Sequence, residues 1–335
     1  MKNILKKSDL SISSELGIYS NLYKDIYFDK KHGIKETQHN FIKANNLASR
    51  FKKSDKFIIS ELGFGTGLSF LMTLKLWKET KKPNAKLIYI SFESAPLTKI
   101  ELNNVYKKVS GVKILFNQLI KKLPILYQST HRIFFDSENV ELILIYDDFN
   151  SLKNFKFKAD VWFLDGFAPK KNKSAWNSKL FEQIYLSTKF TGTFSTFTSA
   201  GHVRRGLSNS GFSVSKVAGF GNKKESLIGI KKPPLSKINK VSSSKKYIGP
   251  VAIIGSGISG ASLAYSLRKR NIECFLVDKS SKYASGASGN KLALQMPKLT
   301  LDNSPYGSLS LEAFTYSRNL AKNLNPIPPS NGLIV

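Results

Sequence analysis

The sequence contains little cysteine, arginine or acidic residue. The single cysteine, Cys274, excludes a disulfide scaffold and a cysteine-built zinc site, and it suits a reducing cytoplasm. The four histidines are scattered without metal-ligand spacing, so we predict no metal site. No run of about 18 apolar residues occurs, so no membrane span is predicted. The first residues carry lysines with no apolar stretch behind them, so we expect no signal peptide and a soluble, cytoplasmic protein.

Positive charge is the most prominent property of the sequence. The 335 residues include 52 Lys+Arg against 23 Asp+Glu, a formal net charge of +29, and only seven of these cations are arginine. Such a charge indicates a polyanionic partner, most obviously nucleic acid. An AT-rich genome is the alternative, because it enriches lysine without functional cause. Lysine-rich surfaces favour phosphate contacts over the reading of base edges, so the charge predicts docking more than sequence specificity.

Apolar strand-like runs alternate with amphipathic helix-like segments over residues 1 to about 230. The predicted strands are Lys56–Leu62, Leu87–Glu93, Glu141–Tyr146, Asp160–Asp165 and Thr193–Thr198. This alternation predicts an α/β fold, a parallel sheet with helices on both faces. A basic, Pro/Ser-rich stretch then indicates a linker, after which Val251–Ile254 begins a new strand. We therefore predict a domain at 1–232, a linker at 233–248 and a second domain segment at 249–335.

A first glycine-rich turn follows the first predicted strand. Gly63, Gly65 and Gly67 have the spacing G-x-G-x-G and precede a helix-like segment. Glycines allow close approach of the backbone to a ligand, and a helix start offers free N–H groups. This spacing is typical of S-adenosylmethionine-dependent methyltransferases, although a glycine turn can also be purely structural.

Acidic residues end the next three predicted strands. Glu93 is placed to accept the ribose hydroxyls of a nucleoside, Asp147 and Asp148 to lie near its adenine, and Asp165 to face the same crevice. Each carboxylate alone could instead cap the helix that follows it. All four together with the glycine turn favour a ligand site.

A second glycine-rich turn lies in the last third of the chain. Gly255, Gly257 and Gly260 have the dinucleotide spacing G-x-G-x-x-G after a strand and before a helix, and Asp278 ends the next strand. This complete strand–turn–helix–strand context predicts FAD or NAD binding.

Together these motifs resemble the MnmC family of bifunctional tRNA wobble-uridine modification enzymes. The resemblance includes the glycine turn with its following Leu-Ser-Phe, the block Trp162–Pro169, and the block Thr196–Gly201. It extends to Asp25–Phe28, Glu36-Thr37 and, in the second part, Gly286–Asn290. The family's flavin domain is several hundred residues long, and we expect only its first portion here.

The resemblance implies two activities on one polypeptide. A doubly wound methyltransferase domain uses S-adenosylmethionine to methylate the 5-aminomethyl group of the wobble (2-thio)uridine. A Rossmann-like domain uses FAD to remove a carboxymethyl group from the same amine. Asp165 is then the candidate general base and Phe167 the candidate stacking residue for uracil. The cofactor residues implied are Glu61, Gly63, Phe64, Gly65, Thr66, Gly67, Glu93 and Asp148, and, for FAD, Gly255, Gly257, Gly260, Asp278, Ser288, Gly289 and Asn290.

Basic residues near the candidate site predict contacts with the tRNA anticodon region. They are Lys170, Lys171, Lys173, Arg204 and Arg205. No protein partner is evident. Two other functions stay open from the sequence: methylation of an amine outside tRNA, and a non-catalytic module that binds tRNA or flavin.

Overall fold

The longest apolar runs form the centre of an eight-stranded sheet. The computed structural model describes residues 5–12, 17–28, 32–107, 109, 111–221, 223–233, 249–290, 295–298, 300 and 304–324. The main sheet and its flanking elements comprise α1 (Gly33–Thr37), α2 (Leu47–Lys53), β4 (Lys56–Leu62), α3 (Leu68–Thr80), β5 (Lys86–Glu93), α4 (Lys99–Tyr106), α5 (Lys113–Lys122), β6 (Ser129–Phe135), β7 (Val140–Tyr146), β8 (Ala159–Leu164), α6 (Ser178–Leu186), β9 (Thr188–Thr196), α7 (Gly201–Asn209), β10 (Ser213–Ala218) and β11 (Glu225–Ile230). A small sheet precedes them, with β1 (Leu10–Ile12), β2 (Ile18–Ser20) and β3 (Asp25–Phe28).

The strand order of the main sheet is β10-β11-β9-β8-β4-β5-β7-β6. Its five central strands, β9 to β7 in that order, run parallel, and these are the five strands predicted from the sequence. The outer strands β6, β10 and β11 pair antiparallel and were not predicted. Parallel strands bring their carboxyl ends to one edge, so β4, β5 and β8 end side by side.

Helices cover both faces of this sheet with separate apolar cores. Neighbouring residues of a strand point to opposite faces, so fully buried Phe163 packs in one core and fully buried Trp162 in the other. Each buried side chain of this size stabilises the fold by about 1.5–3 kcal/mol. The predicted doubly wound α/β fold is confirmed.

Two caps position the ends of the helices near the sheet edge. Thr98 begins α4 with a reciprocal capping box, in which Glu101 N donates to Thr98 Oγ1 at 3.2 Å and Thr98 N donates to Glu101 Oε2 at 2.7 Å. Gly67 precedes α3 at φ 79°, a left-handed conformation that favours glycine. α1 continues without a break into a π-helical turn, Gln38–Lys43.

The described residues fall into two compact units, one within 1–233 and 298–335 and the other within 234–297. The second unit contains β12 (Val251–Ile254), α8 (Ile258–Arg268) and β13 (Cys274–Val277), with the two strands parallel. α9 (Pro305–Leu324) belongs to the first unit, where it lies against β6. Nearly all of the predicted linker, 234–248, lies outside the described residues. Within the described part of the chain, no helix has the length and hydropathy needed to cross a bilayer.

Candidate active site

A cavity of about 250 Å³ lies at the carboxyl ends of β4, β5 and β8. Four parts of the chain supply its walls. The first is the β2–β3 turn with β3 (Tyr23, Asp25, Tyr27), and the second is the α1 and π-helical segment (Glu36, Thr37, Asn40, Phe41). The third is the first glycine turn with the start of α3 (Gly63, Phe64, Gly65, Thr66, Ser69). The fourth is formed by residues at or after the ends of later strands (Glu93, Asp165–Ala168, Phe197, Lys223).

The first glycine turn packs directly against the loop that carries Asp165. Gly63 has φ +89°, and a Cβ atom at this position would lie 2.9 Å from the backbone oxygen of Asp165. Its N–H donates to Phe92 O at 2.9 Å, which ties the turn to the end of β5. Only glycine fits here without moving the backbone.

Glu93 is a buried carboxylate on the cavity wall. Its Oε2 accepts a hydrogen bond from Gly65 N at 2.9 Å, and its Oε1 accepts one from Ala95 N at 2.8 Å. Burial raises the pKa of this carboxyl, and the backbone hydrogen bonds partly oppose the rise. A carboxylate has about four lone-pair positions, so Glu93 keeps acceptor capacity for a ligand.

Asp165 follows β8 at the base of the cavity. Ser69 Oγ donates to its Oδ2 at 3.1 Å. Burial raises the pKa of Asp165 to about 7; Ser69 and Lys223 lower it, and the charge of Glu36 raises it. A carboxyl group that titrates near neutrality in a cavity is suited to accept a proton from a substrate.

Phe167 is held by two tyrosines from the small N-terminal sheet and its turn. The Phe167 ring stacks on Tyr23 with centroids 4.6 Å apart, and it meets Tyr27 edge-on at 5.0 Å. Asp25 fixes the same loop, because its Oδ2 accepts a hydrogen bond from Ala168 N at 2.9 Å. The roles of Tyr23 and Asp25 were missed in the sequence, where only the Asp25–Phe28 similarity indicated this strand.

Three predicted cofactor residues, Glu61, Gly67 and Asp148, do not line the cavity. Glu61 is 1% exposed and lies within the sheet, where its Oε2 accepts a hydrogen bond from Ser91 Oγ at 2.7 Å. Asp148 caps the short 3-10 helix Phe149–Asn154, because its Oδ1 accepts from Asn150 N at 2.9 Å. The capping alternative therefore applies to Asp148, and cofactor binding by any of these three residues stays a prediction.

The other predicted residues of the first turn do line the cavity. Phe64 and Thr66 are buried, and Thr66 O accepts a hydrogen bond from the Tyr106 hydroxyl at 3.1 Å. Gly65 also lines it, and a Cβ there would lie 3.2 Å from the Tyr27 ring. These contacts fix the shape of the turn.

The predicted basic residues are exposed and lie on two segments. Lys170, Lys171 and Lys173 follow the Phe167 loop, and Arg204 and Arg205 lie on α7. Lys171 is already engaged, since its Nζ lies 3.3 Å from Asp25 Oδ1.

The second unit brings its predicted dinucleotide residues together. Ser256 N and Oγ both donate to Asp278 Oδ2 at 2.7 Å, and Ile258 N donates to Ser288 Oγ at 2.9 Å. The backbone hydrogen bonds lower the pKa of Asp278 to about 2, so it is ionised near neutrality. Gly257 lies close to Ser288, which is in the short helical turn Ala287–Gly289; Gly289 ends that turn and Asn290 follows it.

Known proteins are similar to both parts of this chain. A family described as S-adenosyl-L-methionine-dependent methyltransferase matches residues 110–232, and one described as FAD dependent oxidoreductase matches residues 250–335. The tRNA 5-methylaminomethyl-2-thiouridine biosynthesis bifunctional protein MnmC of Marinomonas sp. (strain MWYL1) is 36% identical, covering 96% of this chain and 50% of that protein. Its namesake from Pseudoalteromonas translucida (strain TAC 125) is 34% identical, covering 96% and 51%.

The chain is an MnmC-family homologue. It spans about half the length of the curated MnmC relatives it matches. The crystal structure of MNMC2 from Aquifex aeolicus superposes with a TM-score of 0.55 at 22% identity, covering 68% of this chain and 72% of that one, which shows a shared fold. The predicted resemblance to MnmC is thereby confirmed, as is a methyltransferase domain followed by part of an FAD domain.

Proposed function

We propose that this chain methylates the 5-aminomethyl group of the wobble (2-thio)uridine in tRNA, using S-adenosylmethionine, in the cytoplasm. The observation that supports it most is the position of Asp165: a carboxyl group with a pKa of about 7 shares one cavity with the first glycine turn, Glu93 and Phe167. Residues 1–232 would carry this activity.

The cavity fits the cofactor in two respects. Gly63, Phe64, Gly65 and Thr66 all line the cavity, so the turn offers its backbone to a ligand there. Glu93 lines the same cavity with acceptor capacity for ribose hydroxyls. When bound, S-adenosylmethionine supplies an electrophilic methyl group, whose transfer to the amine forms a C–N bond, breaks the C–S bond and leaves the electron pair on sulfur.

Asp165 makes the acceptor amine nucleophilic. A primary amine of the lysine type is mostly protonated near neutral pH and then lacks a free lone pair. Asp165 accepts a hydrogen bond from this nitrogen, orients it and removes its proton. General-base assistance of this kind is worth about 10²–10⁴-fold, and the alignment of amine and methyl adds to it.

Phe167 provides the surface for the uracil ring. Tyr23 and Tyr27 hold it in place, so the aromatic plane is fixed before the substrate enters. Stacking is the usual way to hold an RNA base that has left its helix, and a wobble base must leave the anticodon stack to reach the cavity. The exposed basic residues after Phe167 and on α7 would contact phosphates nearby.

For the second unit we propose only that residues 249–290 hold the phosphate end of a dinucleotide. The glycine turn, Asp278 and Ser288 lie together there. FAD-dependent removal of a carboxymethyl group stays an expectation from the MnmC resemblance.

Methyl transfer into tRNA tests the proposal. Purified protein is incubated with methyl-labelled S-adenosylmethionine and bulk tRNA that carries 5-aminomethyluridine, with ribonuclease-digested tRNA as control. We expect label only in intact tRNA. Equal labelling of digested tRNA or of simple amines would favour an acceptor outside tRNA, and failure to bind S-adenosylmethionine would favour a non-catalytic module.

A further inference from the structure

The α1 and π-helical wall of the cavity has no part in the mechanism above. Glu36 and Asn40 are four residues apart on this wall, and both line the cavity that contains Asp165. π-helical turns are rare and occur frequently at functional sites. The wall therefore places a second acidic side chain, that of Glu36, in the same cavity as Asp165.

Glu36 forms an ion pair with Lys223, which lies 187 residues later in the sequence. Lys223 Nζ lies 2.8 Å from Glu36 Oε1 and 4.6 Å from the centre of the Phe197 ring. The Glu36 side chain is 23% exposed and that of Lys223 49% exposed. Ion pairs with this much solvent contact are weak, so another cation that enters the cavity can replace the lysine.

Asn40 adds an unused polar group to the same wall. It is 2% exposed, and its Oδ1 has no hydrogen-bond partner among the described residues. A buried amide oxygen without a donor is unfavourable, and most such groups in native proteins are satisfied. A ligand nitrogen with several N–H groups would satisfy it.

We propose that Glu36 selects the substrate by its ammonium group, which displaces Lys223 from Glu36 and donates a second hydrogen bond to Asn40. This inference rests on the proposed function. The protonated aminomethyl nitrogen binds to Glu36 first, and Asp165 in the same cavity then accepts its proton. Unmodified uridine has no cation to displace Lys223, so the wall discriminates against it.

Two substitutions that break the same ion pair give opposite results under this proposal. E36Q removes the ammonium acceptor and should raise KM for aminomethyl tRNA about tenfold or more. K223M removes the competing cation and should lower KM by up to about fivefold. E36D should recover part of the E36Q loss. The dissociation constant of S-adenosylmethionine, measured by calorimetry for each variant, reports whether the domain is folded.

A purely structural role for the ion pair predicts equal effects. If E36Q and K223M raise KM alike, or if E36Q leaves it unchanged, the proposal is overturned. A binding measurement on the unaltered protein gives a second test. 5-Aminomethyluridine should bind more tightly than uridine, and equal affinity overturns the proposal even where E36Q fails to fold. Absence of methyl transfer by the unaltered protein overturns both proposals, whereas turnover with equal variant effects overturns this one alone.

Discussion

The two glycine-rich turns of this chain have the same local design and very different surroundings. A Cβ atom added to Gly63 would lie 2.9 Å from the backbone oxygen of Asp165, in a loop about 100 residues later in the sequence. Gly255, at φ +99°, has nothing within 4 Å of such an atom. Beside it, Ile254 is 91% exposed and Ile258 is 71% exposed. A glycine turn is thus a local feature, and segments distant in sequence supply the cavity around it.

A glycine turn indicates which class of cofactor binds, whereas the segments packed around the turn decide whether it is enclosed in a cavity. In the first unit, the N-terminal strands, the π-helical wall and the Asp165 loop enclose the turn. In the described part of the second unit, α8 has no buried residue. Half of the apolar residues of β12 and β13 are exposed. We therefore expect methyl transfer to depend on the first unit alone, and the following predictions test that division.

Replacing Asp165 should have the largest effect. Asparagine has nearly the same shape as aspartate but cannot accept a proton as a carboxylate does. The single-turnover methyl-transfer rate of D165N should therefore fall about 10²–10⁴-fold. S-adenosylmethionine binding should persist, because the contacts proposed for it are made by the first glycine turn and Glu93. E79Q, the same chemical change at an exposed position of α3, is the matched control. Normal turnover by D165N with normal cofactor binding would falsify its role.

Alanine at each glycine turn compares the two surroundings directly. G63A and G255A share the positive-φ penalty of about 1–2 kcal/mol, but only G63A also meets a neighbouring backbone atom. We expect G63A to weaken S-adenosylmethionine binding about tenfold or more, and G255A to leave it within about twofold. Calorimetric titration measures both, and equal losses would contradict the contrast between the turns.

The rate of methyl transfer should rise with pH through the pKa of Asp165. Its proton is lost around pH 7, so at pH 6 only about one tenth of the molecules carry the base form. The rate at pH 6 should thus be about tenfold below the plateau. Single-turnover rates from pH 5.5 to 8.5 check this, and a flat profile would exclude Asp165 as the proton acceptor.

Stability should change less, and in the opposite direction. Because the folded state raises the pKa of Asp165 from 3.8 to about 7, folding holds its proton more tightly, and this contribution to stability is lost as pH rises through that window. D165N removes the penalty, so its Tm should exceed that of the unaltered protein at pH 8, by about 2–4 °C per kcal/mol relieved. The Tm difference between D165N and the unaltered protein should be smaller at pH 5 than at pH 8. An equal Tm difference at both pH values would contradict the raised pKa of Asp165.

The sequence was informative where a residue's neighbours along the chain determine its structure. Five buried apolar runs predicted the parallel strands, and strand-end position predicted that Glu93 and Asp165 line the cavity. The edge strand β6 alternates buried and partly exposed residues, so it lacks such a run. Asp148 shows the limit of strand-end reasoning, because a local cap competes for its carboxylate.

The parts of the site that come from other segments could not be read from motifs. Nothing in the spacing of Tyr23 and Asp25 indicates that they contact a loop more than 140 residues later. The Glu36–Lys223 pair joins positions 187 residues apart, and it depends on how β10 and β11 extend the sheet. These contacts exist only once the chain has folded.

The hydrogen bond from Ala168 to Asp25 has a consequence for how such enzymes diversify. The proposed cofactor contacts come from the glycine turn and the end of β5, whereas the loop that would receive the acceptor is fastened to a strand that precedes the whole α/β core. Tyr27 lies beside Gly65 of the cofactor turn, so it would have to be kept. Remodelling Tyr23 and Asp25 around it would then change which amine is methylated and leave the methyl donor the same.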